Sequence, residues 1–511
     1  MSFADGVGRP DASWYFAEEP MPTLATDAYK FSMGQAGFPL RRETFYLSFR
    51  HGGPQYIPFD LEALVRAIVA DLQPSAEEMA FARETGYAFS DAMEHALRSA
   101  AQLEIVSVPK GVWVLAREPI LSLTGPSFLV SWLESMLLWL SYPIQLATAI
   151  KSGQELPPGS FVATCREHAE LVERVLAEVG GPKGAIECED EAYYDRVRAV
   201  VRTLVEAAGN DPARIFEVGM RSAVCMEQHR IALQACKAEG VLKTSHLHLA
   251  RELGMTPVGT MGHEHVQRWG ADLPAFQAMR DMRSSPPSYL LDTFDTMGSG
   301  IGAAVEVMRQ RAHDCSIRYD SGNKFLQYLH ACELLGDAGL EPAHVLEDGL
   351  DAAATAHFEA LRQFTGWPAE KQLYGFGGTI VAGTMRTPFT RDRISAVYKL
   401  SETGGVPRMK FGNERGLGKQ SVPGRPVLWR RLRGRGPLGI IAQQGETVPD
   451  DYVLMSGNPD ASERLRLCNL HTIERVAMGE ADGVQHSPVT EGLVTQLRLG
   501  LRRRLREAYP G

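Results

Sequence analysis

The sequence has no C-x-x-C pair, no uninterrupted apolar run long enough to span a bilayer, and no excess of basic charge. Its seven cysteines (Cys165, Cys188, Cys225, Cys236, Cys315, Cys332 and Cys468) are scattered and odd in number. Neither a disulfide framework nor a zinc site of ordinary spacing is expected, and a reducing, cytoplasmic setting is. The opening MSFADGVGRPDASWYF lacks a basic segment followed by an apolar one, so no secretory signal is expected there. The most apolar stretch, 128–150, is interrupted by Glu134, Pro143 and Gln145. It reads as a buried helix ending near Tyr142, not as a membrane span. Lysine and arginine total 53 against 62 aspartates and glutamates, a formal charge of −9. That balance excludes a dedicated nucleic-acid-binding surface over most of the protein.

What is present is an ordinary globular composition, 44% hydrophobic and 23% charged over 511 residues. The chain is long enough for a large core and for several domains or subdomains. Its charge is unevenly spread. From 386 to 435 there are 13 basic and 3 acidic residues, a net of +10 that leaves −19 on the remainder. One basic stretch in an acidic protein suggests a local task for an anion.

The first twenty residues read as a polar arm. Between 104 and 123, EIVSVPKGVWVLAREPILSL alternates apolar and polar residues and predicts half-buried antiparallel strands. LPPGSF at 156–161 marks a break. After about 212, short apolar runs recur, each ending in a polar or glycine-rich cluster and followed by a helical pattern. They are RIFEVGMRS (214–222), GVLKTSH (240–246), TPVGTMGHEH (256–265), CSIRYDSGN (315–323), HVLEDGLD (344–351), KQLYGFGGT (371–379) and AVYKLSETGG (396–405). Strands alternating with helices indicate a parallel α/β arrangement, with the working residues at the C-terminal strand ends. Those ends hold Glu217 and Arg221, His246, His263 and His265, Asp320 and Asn323, Asp348, and the Gly377-Gly378-Thr379 turn. The tail LVTQLRLGLRRRLREAY, with leucines at 493, 497, 501 and 505, predicts an amphipathic helix with a basic face.

Three motifs carry chemistry. In YGFGGTIVAGTMR (374–386) the glycines let backbone N–H groups approach a phosphate, yet the pattern is neither a Walker A loop nor a Rossmann fingerprint. In RYDSGN (318–323) Arg318 and Asp320 leave their strand on the same face, suited to phosphate and to ribose or Mg²⁺, or else to a salt bridge closing the strand. GTMGHEH (259–265) lacks the H-E-x-x-H spacing of a zinc site; a histidine at this strand end is a candidate nucleophile or acid/base, or a structural turn residue.

These blocks, together with LATDAYKFSMGQAGFP, FYLSFR, KTSHLHLA, VYKLSETGGVPRMK and KQSVPGRPVLWR, resemble the nicotinate phosphoribosyltransferases and the related nicotinamide enzymes. The resemblance runs in order from about 24 to 430. It implies an incomplete α/β barrel with a second, smaller β-rich α+β domain built from both ends of the chain. The expected boundaries are 1–160, 161–400 and 401–511. It implies transfer of the phosphoribosyl group of 5-phosphoribosyl 1-pyrophosphate (PRPP) to nicotinate in NAD salvage, with Mg²⁺, coupled to ATP through a phosphorylated histidine. It implies a homodimer with interface active sites, and neither nucleic acid nor membrane as partner.

Residue by residue, the resemblance puts His263 at the phosphorylated position, with His265 as the fallback, and Tyr29, reaching in from the partner subunit, on the pyridine ring. Arg221 would hold the ring substituent, Asp320 and Asp348 the ribose and metal, and Gly377 with Gly378 the 5′-phosphate. Arg50, Arg318, Arg386, Lys410 and Lys419 would hold pyrophosphate or ATP. The chain departs from the nicotinate pattern at His246, Asn323 and Gly262, and several blocks lean toward the nicotinamide enzymes. His246 stands where those enzymes carry a carboxylate; a histidine can donate to, or pair with, nicotinate, so nicotinate is the expected base and nicotinamide the alternative. Quinolinate phosphoribosylation and an inactive binding protein are the remaining alternatives.

Overall fold

The computed structural model describes residues 21–508, apart from 71, 154, 183, 260, 412–419, 433–434 and 462–482. The polar arm, Lys419 and Cys468 lie outside the described residues.

Seven parallel strands form one open sheet. In spatial order they are Thr256–Pro257, Lys243–Thr244, Ile215–Glu217, Gln372–Phe376, Ala343–Leu346, Ser316–Tyr319 and Ser288–Leu290. The first and last of these do not pair, so the barrel is incomplete. Helices such as Met226–Ala238, Lys324–Ala338 and Ala352–Thr365 follow the strands and bury one face each, as parallel crossovers require. In four of these strands nearly every residue is buried, as a parallel sheet covered on both faces requires.

A five-stranded sheet draws on both ends of the chain. Arg42–Phe49 lies between Ala396–Thr403 and Leu121–Pro126, with Glu104–Ser107 and Val406–Pro407 at the edges. The alternation read at 104–123 is thus an antiparallel pair, Ile105 opposite Leu123. The run at 396–405, expected to belong to the parallel series, is an antiparallel strand of this second sheet. It spans the boundary expected at 400. The barrel strand that takes its place in the count is Ser288–Leu290, three residues long and too brief for periodicity to register. A smaller sheet of Pro426–Arg431, Gly439–Gln443, Tyr452–Leu454 and Val484–His486 packs beside it, tied by the buried pair of Arg430 Nη2 and Glu118 Oε2 at 2.6 Å.

The apolar stretch at 128–150 is three short buried helices, Ser127–Trp132, Glu134–Trp139 and Ser141–Lys151. Pro143 sits in the first turn of the last one, where its missing N–H has no helical partner anyway, so it follows a helix start and does not end one near Tyr142. Trp132 and Trp139 are fully buried, and each indole N–H finds a carbonyl, that of Thr23 at 2.8 Å and that of Met220 at 2.6 Å. The tail forms the helix Pro488–Ala508, with Leu497 and Leu501 packed on the core. Among the described residues no helix is long and apolar enough to cross a membrane.

Candidate active site

The C-terminal ends of the parallel strands open into a cavity of about 370 Å³, roofed by Arg42–Phe49 and Ala396–Thr403 of the antiparallel sheet. Tyr29, Arg50, Arg221, His263, Arg318, Asp320, Asp348, Gly377, Gly378 and Lys410 all line it. His246 and Arg386 do not.

His263 is the first residue of the helix His263–Trp269, entered through Gly262. Its Nδ1 lies 3.1 Å from Thr293 Oγ1; its Nε2 lies 2.7 Å from Lys410 Nζ and 3.1 Å from Asp320 Oδ2. An ammonium only donates, so on the shorter contact we assign the lone pair to Nε2 and the ring proton to Nδ1. Burial and Lys410 hold the imidazole below its ordinary pKa, against the pull of Asp292 and Asp320. The ring is therefore neutral and nucleophilic at neutral pH. His265, two residues on, is buried with Nε2 3.0 Å from the Ala275 carbonyl, on the far side of the helix.

Asp292 completes this corner. Its Oδ1 lies 3.7 Å from His263 Nε2 and is buried without a hydrogen bond, while Oδ2 lies 3.7 Å from Lys410 Nζ. His263, Asp292 and Asp320 offer ligand atoms within 4.8 Å of one another. Asp348, expected beside Asp320 on a metal, lines the cavity but is not part of this group. It sits at the end of a different strand with φ of 59°, a left-handed conformation that turns the chain sharply after Glu347.

Across the cavity, Tyr29 begins the helix Tyr29–Gln35 and donates its hydroxyl to Glu134 Oε2 at 2.7 Å. The Arg221 guanidinium lies 5.7 Å from the Tyr29 ring centre, 3.4 Å from Asp27 Oδ2 and 3.8 Å from Glu134 Oε1. Lys30 Nζ bridges Glu134 and Glu264 at 2.7 and 2.9 Å, so this wall is a buried, charge-compensated network. Tyr29 lines the cavity of its own chain. The cause is local: Asp27 forms an isolated antiparallel bridge with His246 and accepts from Ser245 Oγ at 2.6 Å, pinning the segment across the barrel mouth. Gly259, with φ of 148°, allows the approach, because a Cβ there would lie 2.8 Å from the Tyr29 nitrogen.

The same bridge explains His246. It turns the side chain into the barrel, where the ring stacks on His229 at 4.9 Å with the two Nδ1 atoms 2.8 Å apart. His229 Nε2 in turn meets Glu217 Oε1 at 3.0 Å. His246 is wholly buried and held well below the ordinary histidine pKa, by burial first and by His229 second. The structure does not bring it to a ring substituent in the cavity.

Another side of the cavity is cationic. Arg318 Nε lies 3.7 Å from Glu347 Oε2, and Arg50, Arg391, Lys399 and Lys410 line the cavity nearby. Burial, reinforced by Lys410, Arg50 and Arg221 against Glu134, pushes Lys399 down to about 7. Gly378 opens the glycine turn; a Cβ there would lie 2.6 Å from Asp392 Oδ2. Arg386 points the other way. Its side chain is 53% exposed and lies 3.4 Å from Glu189 Oε2 and 3.7 Å from Glu187 Oε1. Arg391, five residues on, lines the cavity instead.

Asp292, Arg391, Lys399 and Glu134 were not singled out from the sequence. Asp292 follows the apolar Tyr289-Leu290-Leu291 and was legible by the strand-end rule. The others come from outside the barrel, and no spacing announces them.

No family model matches the chain. Nicotinate phosphoribosyltransferase pncB2 of Mycobacterium tuberculosis is 31% identical over 223 residues, 42% of this chain and 44% of that protein. The nicotinate phosphoribosyltransferase of Dictyostelium discoideum is 24% identical over 84% of this chain and 72% of that protein. The chain spans about half the length of the first curated relatives it matches. Among solved structures, nicotinate phosphoribosyltransferase from Porphyromonas gingivalis superposes with a TM-score of 0.54 at 18% identity, covering 79% of this chain and 96% of that one. In sequence the chain is similar to curated nicotinate phosphoribosyltransferases, and in fold to a solved one.

Proposed function

We propose that the protein joins nicotinate to PRPP, giving nicotinate mononucleotide and pyrophosphate in NAD salvage. The observation that carries this reading is the opposition, within one cavity, of the Tyr29–Arg221 wall to the corner of His263, Asp320 and Lys410. C–N bond formation at the anomeric carbon passes through an oxocarbenium-like state, while charge builds on the departing pyrophosphate. The protein must align the base and surround the leaving group with cations.

In this scheme Tyr29 takes the pyridine face and Arg221 its carboxylate. The Gly377-Gly378 turn receives the 5′-phosphate, and Arg50, Arg318, Arg391, Lys399 and Lys410 neutralise the pyrophosphate. His263 Nε2 accepts a phosphoryl group from ATP, with Lys410 beside it to screen the incoming charge. The orphaned Asp292 oxygen and the Asp320 carboxylate would hold a hard divalent cation such as Mg²⁺, which would supply positive charge to stabilise the departing pyrophosphate. Cytoplasmic operation as a homodimer with active sites at the subunit interface completes the proposal.

A second reading, nicotinamide as the base, draws on Asp27, whose carboxylate beside Arg221 is able to accept from an amide nitrogen. Product analysis with each base, with and without ATP, tests both. Nicotinate mononucleotide from nicotinate, with ATP hydrolysed, is expected; turnover of nicotinamide alone selects the second reading, and no turnover of either refutes both.

A further inference from the structure

Outside the cavity, two cysteine side chains stand in contact. Cys165 Sγ and Cys225 Sγ lie 3.6 Å apart, both buried. Each cysteine caps a helix: Cys165 precedes Arg166–Val179, and Cys225 precedes Met226–Ala238. The two helices meet start to start. The Glu167 N–H donates to Glu227 Oε2 at 2.7 Å, and the Glu227 N–H donates to Glu167 Oε2 at 2.8 Å. This exchange makes the two helix starts nearly symmetric about the sulfurs and holds the thiols face to face.

Two opposed effects set their reactivity. Facing helix N-termini favour a thiolate, whereas burial, together with Cys165, pushes the Cys225 thiol well up. A route for an oxidant exists at the surface. Cys188 is exposed and pairs with Ala163 in the short parallel ladder of Val162–Ala163 and Glu187–Cys188, two residues before Cys165. Burial first, then Asp190 and Cys165, push the Cys188 thiol up, so its reactive thiolate is a minor form at neutral pH.

We propose that Cys165 and Cys225 are a modification site, forming a reversible disulfide when a peroxide oxidises Cys188 as the entry thiol. The Cys188 thiolate attacks one peroxide oxygen, the O–O bond breaks, and a sulfenic acid and one water form. The Cys165 thiolate attacks the Cys188 sulfur and expels hydroxide, which leaves as the second water. The Cys225 thiolate then attacks the Cys165 sulfur and releases Cys188 as thiolate. Overall two thiols lose two protons and two electrons, and one hydrogen peroxide becomes two waters.

The bond would draw the two helix starts together from 3.6 Å to about 2.05 Å between sulfurs. The segment immediately before Cys225 carries Arg221, and Trp139 holds its Met220 carbonyl at 2.6 Å. Oxidation therefore acts at the root of the Arg221 wall. The effect on turnover rests on the function proposed above; the bond itself does not.

The test uses the native full-length protein treated with hydrogen peroxide, quenched in acid, alkylated, digested and mapped by mass spectrometry. A linked Cys165–Cys225 peptide pair is expected, lost with dithiothreitol and absent from Cys225→Ser. Cys165→Ser keeps a capping oxygen for the His168 N–H, so a folded control is available. Cys188→Ser should slow the link by at least about tenfold, since access limits attack on buried sulfur. Free Cys165 and Cys225 beside an over-oxidised Cys188, or a stable Cys165–Cys188 product, would overturn the proposal. Reduced protein without any turnover would refute the proposed function while leaving the mapped bond to decide this one.

Discussion

At the end of the strand Thr256–Pro257 the chain passes Gly259 and Gly262 into a helix whose first residue, His263, faces the cavity. At the end of the neighbouring strand, Lys243–Thr244, His246 is caught in a backbone bridge with Asp27 and turned into the barrel against His229. Both histidines are buried and both are depressed below their ordinary pKa. They differ in what the ring nitrogens meet. His263 meets a lysine, a hydroxyl and two carboxylates around an open volume. His246 meets another imidazole in a closed one, backed by Glu217. Residue type and strand-end position are therefore insufficient to assign a role; the backbone direction after the strand makes the difference.

Two substitutions press on this contrast. His263→Ala should lower PRPP-dependent turnover by about 10²- to 10⁴-fold and abolish protein phosphorylation by ATP, with little change in melting temperature. His246→Ala should do the reverse. It removes a buried ring and leaves His229 without its partner, costing about 2–5 kcal/mol in denaturant unfolding while kcat of the folded enzyme holds. A fall in kcat as large as that of His263→Ala would erase the contrast.

The same contrast recurs in the basic stretch. Arg391→Gln should raise KM for PRPP by about 10- to 100-fold, the worth of one charged hydrogen bond of about 1.5–3 kcal/mol. Arg386→Gln, on an exposed pair with Glu189, should change it by less than about 0.5 kcal/mol in equivalent terms.

The pH dependence of stability gives a further check on buried histidines. His168 and His265 are held down to about 3 and about 4 by burial, against an ordinary histidine value of 6.5. Below pH 6.5 the unfolded chain binds a proton at each while the folded chain does not. Each then removes about 1.4 kcal/mol of stability per pH unit until the folded value is reached. His168→Gln should take one proton from that slope in melts between pH 6.5 and 4.

Much of the fold was legible because its signals are local. Strand and helix alternation after 212, the antiparallel pattern at 104–123 and the leucine-spaced tail are periodicities within a few residues of one another. The strand Ser288–Leu290 was too short for that, and the run at 396–405 has the same pattern whether it joins a parallel or an antiparallel sheet. The candidate site divides in the same way. His263, Arg318, Asp320 and the Gly377-Gly378 turn sit at strand ends within recognisable blocks. Glu134, Arg391 and Lys399 reach the cavity only because distant segments cover the barrel mouth.

By itself, then, the sequence determined the alternation of strands and helices, the chemical types at the strand ends and the location of a basic stretch. Periodicity, turn residues and charge are properties of neighbours along the chain. Only the tertiary structure decided which cations of that stretch face the cavity, that Tyr29 enters the cavity of its own chain, and that His246 supports the site from behind. Each of these depends on side-chain direction at a contact between segments more than a hundred residues apart, or on a backbone bridge that no local pattern encodes.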